Sequence, residues 1–374
     1  MRRTNRLPLA GLLVAFSSLL FAVGDAGCGS HNNLPSCSGG PAEVLYAEPA
    51  NGLLNTSVTA MIDLCTGGFA SASSSTAFLG NSGMTAVNGR FLYVSAGSAI
   101  LASSIDSTNG ALTSLAGSPF AFPGRSIQGL AATPSGSFLY AADAAGGVDA
   151  FQVNSVTGAL SLLSGSPFGS ATENQIVTDP SGNYLYATDY ADGEILALAI
   201  GATGALTPVQ GSPFSLPGGA GSKPLDIVDT GSFVYVSLGA NNQIAGFSVT
   251  AATGALATVS GSPFAAANYP GDLAWTGSLL YVVNGNAGDI SGYRIDPASG
   301  ALAQLAGSPL VVDRSVGIIA IDPSGKYMFV STSVGLDGFD IDPSSGALTQ
   351  NAAGASNDGF LLLTVVQLPS STVQ

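Results

Sequence analysis

Gly110-Ala111-Leu112-Thr113-Ser114-Leu115-Ala116-Gly117-Ser118-Pro119-Phe120 decides the fold, because it comes back along the chain at a near-constant interval. Gly158-Ala159-Leu160 is followed by Ser166-Pro167-Phe168, and Gly204-Ala205-Leu206 by Ser212-Pro213-Phe214. Gly254-Ala255-Leu256 leads to Ser262-Pro263-Phe264, and Gly300-Ala301-Leu302 to Ser308-Pro309-Leu310. Gly346-Ala347-Leu348 lacks the Ser-Pro tail, and Thr66-Gly67-Gly68-Phe69 is a degenerate first copy. The key glycines 67, 110, 158, 204, 254, 300 and 346 are spaced by 43, 48, 46, 50, 46 and 46 residues. A fixed period of this size marks a repeat architecture.

A second block keeps phase with the first. Val44-Leu45-Tyr46-Ala47 is matched by tetrads starting at Phe91, Phe138, Tyr184, Phe233, Leu279 and Tyr327. Such apolar and aromatic runs read as strands buried on both faces. Pro134-Ser135-Gly136, Pro180-Ser181-Gly182 and Pro323-Ser324-Gly325 precede three of them and supply turn chemistry, proline presetting φ and glycine accepting φ above zero. Each unit then reads as four strands. In the unit around 223–264 these are expected at 225–228, 233–238, 243–249 and 256–259. Helical periodicity is missing after the N-terminal segment. Seven such units specify an all-β, seven-bladed β-propeller of four-stranded antiparallel blades.

The ends show how the ring would close. The chain enters at a second-strand tetrad, 44–47, and residues 360–368 supply a strand beyond the seventh block. That last strand is expected to become the innermost strand of the first blade. Cys37 precedes one strand of that blade and Cys65 follows the next, on the same rim, so a Cys37–Cys65 disulfide is expected, free thiols being the alternative.

Arg2, Arg3 and Arg6 followed by the uncharged apolar stretch 7–23 have the layout of a secretory signal over 1–27. Two processing routes fit: lipidation of Cys28 as the new N-terminus, or ordinary cleavage after Ala26. Asp25 is an unusual residue for the first. An odd count of three cysteines in an exported chain suits a lipidated Cys28 with Cys37 and Cys65 left as a pair. The expected organisation is a signal at 1–27, a tether at 28–40, the propeller at 41–368 and a tail at 369–374. Its place is periplasmic, outer-membrane-anchored or extracellular.

Only 9% of residues are charged. Without Arg2, Arg3, Arg6 and Asp25, 6 basic residues face 22 acidic ones. Such a surface repels phosphate backbones and anionic headgroups, so nucleic acid is excluded and a membrane is reached only through a lipid anchor. A monomer is expected.

Pro180-Ser181-Gly182-Asn183-Tyr184-Leu185-Tyr186-Ala187, the Thr/Ser-Gly-Ala-Leu block and Gly-Ser-Pro-Phe together resemble the lactonase-type seven-bladed propellers, the 6-phosphogluconolactonase-like family, with kinship to YVTN-type repeats. The resemblance covers 41–368. It implies hydrolysis of a sugar lactone in the funnel on one face of the ring, with no cofactor. Family members carry Arg and His near the starts of the innermost strands. Here the only histidine is His31, in the tether.

Function is expected where the repeat is broken, in the loops between blades and between second and third strands, which gather on one face. The inter-blade loops offer Arg125, Glu173, Lys223, Tyr269 and Arg314, and the second-strand ends offer Asp143, Asp189 and Asn284. Asp143, Asp189 or Glu173 would position a water as general base, with Arg125 or Arg314 on the developing oxyanion. Lys223, Tyr269 and Asn284 would bind the ligand, and the guanidinium groups suit a carboxylate. The same carboxylates with Asn284 offer oxygen ligands for Ca²⁺, though turn or solvated roles compete at each position. No zinc ligand set exists. Two readings follow: a surface or periplasmic module binding a glycan or protein partner, or a lactone hydrolase acting on a small-molecule lactone.

Overall fold

A computed structural model of the chain describes residues 43–49, 57–62, 69–75, 83–169, 173–312, 315–333, 335–355 and 360–368. The signal, the tether, Cys28, Cys37, Cys65 and Arg314 lie outside the described residues.

The strands form seven antiparallel sheets, each built on a path of four strands. The sheet holding the chain's first described strand is blade 1. Blade 5 is representative: Pro224–Asp229, Phe233–Leu238, Gln243–Thr250 and Ala255–Thr258, within two residues of the expected bounds. All six residues of Phe233–Leu238 are buried, because neighbouring blades cover both faces of the second strand. Inner strands pack side by side in blade order from blade 2 to blade 7. The fold is an all-β propeller of four-stranded antiparallel blades. In blade 1, Phe360–Gln367 pairs with Glu43–Pro49, and it packs against the inner strands of blades 7 and 2.

Each conserved-looking block has a task that pairing alone leaves undone. The outer strand of a blade is short, only Leu112–Ser114 in blade 2, so the third strand has N–H groups without a ladder partner. The serine of Gly-Ser-Pro-Phe fills that gap. Ser118, Ser166, Ser212, Ser262 and Ser308 Oγ accept the N–H of Ala102, Ala150, Ala197, Gly246 and Gly292 at 2.8–3.0 Å. Blade 7 has no such tail and needs none, since its outer strand Leu348–Ala355 pairs along the third strand as far as Gly335. Buried N–H groups are satisfied either way.

The glycine of Gly-Ala-Leu does more than turn the chain. Gly254 has φ +70°, and a Cβ there would lie 2.3 Å from Tyr184 Cδ1 of the preceding blade. Its carbonyl accepts a hydrogen bond from the Tyr186 hydroxyl at 3.0 Å. The same bond links Tyr46 to Gly110, Tyr93 to Gly158, Tyr140 to Gly204, Tyr235 to Gly300 and Tyr281 to Gly346, at 2.7–3.0 Å. Six blades are thus latched to the next by one buried phenol. Burial raises all six phenol pKa values and keeps the donors protonated. Blade 7 carries Phe329 at this position and makes no such bond. At the junction of blades 7 and 1, buried Glu43 instead hydrogen-bonds Asp322, whose own oxygens take the N–H groups of Ser324, Lys326 and Tyr327.

Candidate active site on the inner strands of blades 5 and 6

Near its start each inner strand of blades 3 to 7 slips register against the second strand, for example between Pro224 and Asp226 and between Pro270 and Leu273. A bulge leaves one N–H without a ladder partner and redirects a side chain. The stranded N–H is met by a second-strand hydroxyl: Gln175 N by Thr188, Asp226 N by Ser237 and Ile318 N by Ser331, at 2.8–3.1 Å. The redirected residue faces the next blade. Where it is Gly129, a Cβ would lie 2.8 Å from Gln175 Oε1 of blade 4.

In blades 5 and 6 that position is an aspartate. Asp226 Oδ2 accepts the N–H of Leu273 at 2.7 Å, and Asp272 Oδ2 accepts that of Ile319 at 2.9 Å. The two carboxyls lie close enough to act on each other's ionisation. Protein surrounds them, yet each keeps part of its surface open to solvent. Burial raises both pKa values, and the charge of Asp226 raises that of Asp272 further. Two carboxyls this close cannot both ionise cheaply, so the pair titrates as a unit and ionisation of both is disfavoured. Such a pair can supply an acid and a base on adjacent strands.

The rim above this pair is strained. Lys223 and Tyr269, three residues before Asp226 and Asp272, have φ of +50° and +62° and each precedes a proline. Non-glycine residues rarely adopt this conformation, and a following proline disfavours it further. The equivalent bond to the turn after the second strand exists elsewhere: Ala144 N to Ser126 O in blade 3 and Ser333 N to Ser315 O in blade 7, as Gly239 N to Lys223 O and Gly285 N to Tyr269 O. Among the described residues at this position, only those of blades 5 and 6 are left-handed. Strain of this kind concentrates at functional sites. Lys223 and Tyr269 are both exposed, and among the described residues Lys223 has no carboxylate within ion-pair distance.

The other expected site residues sit as follows. Arg125 meets Asp143 in blade 3, Nη1 to Oδ2 at 3.5 Å, and also Asp149, Nε to Oδ2 at 3.3 Å. Both aspartates are fully buried. Asp143 Oδ1 accepts the N–H groups of Ser126 and Ala145 and so ties down two loops. Burial pushes Asp149 up to about 6, against the pull of Arg125. Asp189 Oδ1 likewise accepts Ala191 N and Asp192 N in its own turn. Asn284 donates Nδ2 to Asp289 and Ser291 within blade 6. Glu173 begins the inner strand of blade 4 and pairs through its backbone with Asp189, and its side chain lies outside the described residues. The chain therefore joins Arg125 to Asp143, whereas Asp189 and Asn284 make these contacts within their own blades. No group of three or more His, Cys, Asp or Glu among the described residues is placed to hold a metal.

The family model described as "Lactonase, 7-bladed beta-propeller" matches residues 91–224 and 211–319, more than half of the chain. The chain belongs to the lactonase family of β-propellers. No curated protein matches it in sequence. Among solved structures, this lactonase-family propeller is similar to the periplasmic gluconolactonase of Pseudomonas aeruginosa, with 18% identity, TM-score 0.70, and coverage of 88% of this chain and 100% of that one. A candidate 6-phosphogluconolactonase of Bacteroides uniformis matches at 20% identity and TM-score 0.72, covering 87% and 99%. Another from Bacteroides fragilis matches at 21% and 0.69, covering 89% and 99%. At these identities the structures share the fold.

Proposed function

We propose that this propeller hydrolyses a sugar lactone at the axis end of blades 5 and 6. The observation that carries the reading is the Asp226–Asp272 pair, two neighbouring carboxyls on adjacent inner strands, each bound to a backbone N–H of the next blade and each with its pKa raised by burial. Family membership supports the reaction class. Asp226 takes a proton from water as the oxygen attacks the lactone carbonyl. Asp272 gives its proton to the ring oxygen as the acyl–oxygen bond breaks, releasing the hydroxy acid. The proton gained by Asp226 then returns to Asp272, and the pair is reset. Lys223, at the rim three residues away, balances the oxyanion. Arg125 holds the buried Asp143 and Asp149 and shapes blade 3 rather than the reacting centre.

A module that holds the sugar ring without opening it would use the same rim, and the lack of any histidine in residues 41–368 favours that second reading. Incubation of the purified propeller with D-glucono-1,5-lactone and a panel of sugar and simple lactones, followed by pH-stat, separates them. Turnover above the spontaneous rate supports the hydrolase. Its absence on every lactone, with sugar binding retained, overturns it in favour of the module.

We also propose that the ring of seven blades is closed by the pairing of Phe360–Gln367 with Glu43–Pro49, and that residues 1–27 direct export, with Cys28 lipidated and Cys37 bonded to Cys65. Mass spectrometry of the mature protein, with and without reduction, tests both cysteine assignments.

A further inference from the structure

Tyr269 is held in place at unusual expense. Its own φ is +62° and it precedes Pro270. Its N–H is bound by Asn242 Oδ1 at 2.9 Å, and Asn242 is itself left-handed at φ +55°. Its carbonyl accepts Gly285 N at 3.0 Å. The ring lies against two turns that have no side chains there: a Cβ at Gly239 would be 3.5 Å from Tyr269 Cε2, and one at Gly285 would be 3.8 Å from Cδ1. Yet the residue is 37% exposed, so its packing leaves part of the side chain open to solvent. Burying that surface cannot be the reason for the strain, because the surface is not buried.

We infer that Tyr269 is a recognition residue, a rigid aromatic plate on which the apolar face of a sugar ring stacks before its carbonyl meets Asp226 and Asp272. The inference rests on the lactone-hydrolase reading for its substrate and on the rim geometry for its position. Three residues separate Tyr269 from Asp272, so their Cα atoms are at most roughly 10 Å apart. In this arrangement a ring stacked on the plate presents its carbonyl toward the carboxyl pair. A fixed aromatic adds contact area at low entropic cost and an orientation preference that a flexible side chain lacks. Asn242 acts as the positioning residue, because it holds the backbone that aims the ring. Specificity then depends on ring shape: a pyranose lactone with axial hydrogens on one face gains the stack, and a small unsubstituted lactone gains little.

The test uses two probes and three variants of the full chain. D-glucono-1,5-lactone reports turnover; D-glucono-1,5-lactam, its unreactive ring amide, reports binding by calorimetry. Tyr269→Ala is expected to raise KM and the lactam Kd about tenfold with kcat within a factor of about 2. Tyr269→Trp is expected to keep both near wild type, and Asn242→Ala to weaken both by a smaller factor while the melting temperature holds. For γ-butyrolactone the Tyr269→Ala change is expected to be small. Lactam binding that depends on Tyr269 in a protein that turns over nothing leaves the plate standing and removes the hydrolase. Turnover with KM and Kd unchanged in a folded Tyr269→Ala removes the plate and leaves the hydrolase. Tyr269→Trp failing as badly as alanine also overturns the plate.

Discussion

At one end of the blades, Tyr46, Tyr93, Tyr140, Tyr186, Tyr235 and Tyr281 donate the same hydrogen bond to the same glycine of the next blade. At the other end, blades 5 and 6 break the pattern twice over, with aspartates at the bulge and left-handed residues before proline. The first region repeats because each copy solves one geometric problem, joining a blade to its neighbour through a buried, satisfied phenol. The second departs because its residues are not required for that joint. Repetition in this chain marks what holds the ring, and exception marks what the ring carries.

The junction of blades 7 and 1 sharpens the comparison, since it is the one place where the latch is replaced. There Phe360–Gln367 pairs with Glu43–Pro49, and on the proposed closure deleting residues 359–374 is expected to have the largest effect on stability. The melting temperature should fall by about 10 °C or more, and calorimetry of the truncated chain measures it. An unchanged melting temperature would show that the ring does not depend on this pairing.

Glu43 comes next. Burial and contact with Asp322 push its carboxyl up to about 7, partly offset by Lys326. A carboxyl whose folded pKa lies above its unfolded value supports stability while protonated and loses that support as pH rises from about 4.5 to about 7. Glu43→Gln cannot ionise, so it is expected to be about 1–3 kcal/mol more stable than wild type at pH 8 and close to it at pH 5. Urea melts at the two pH values check the sign; equal differences at both would refute the link.

A single latch is worth less. Tyr235→Phe removes the donor to Gly300 and leaves a buried carbonyl unpaired, which should cost about 1 kcal/mol. The corresponding change at Tyr281 should cost the same, and the two should add, as the sites lie in separate joints. A loss at Tyr235 below the error of the melt would remove the latch as a source of stability.

Most of the architecture was legible because the repeat spaces identical solutions evenly. Blade 5 strands fell within two residues of their expected bounds for that reason. Less legible was the work done inside each block. Gly-Ser-Pro-Phe reads as a turn, yet Ser262 Oγ completes the edge of a third strand sixteen residues earlier in the chain. The site was legible only in part. Lys223 and Tyr269 stand out as loop residues that break the repeat, but Asp226 and Asp272 are hidden inside strands. A simple alternation does not reveal that a bulge turns them toward the next blade. Their signal was available: two acidic residues at the third position of inner strands in a chain with 9% charged residues. Asp143 and Asp189 show the converse, since a carboxylate at the end of a strand draws attention but here each has an oxygen bound to turn N–H groups.

If the Asp226–Asp272 pair opens the lactone as proposed, the pH dependence of kcat/KM in wild type, Asp226→Asn and Asp272→Asn shows it most directly. Both variants are expected to lose about a hundredfold or more while remaining folded. Wild-type activity should fall on the acid side with an apparent pKa above the ordinary aspartate range, because the base is raised by burial. An Asp226→Asn protein that opens the lactone at the wild-type rate, with the same pH profile, would contradict the account.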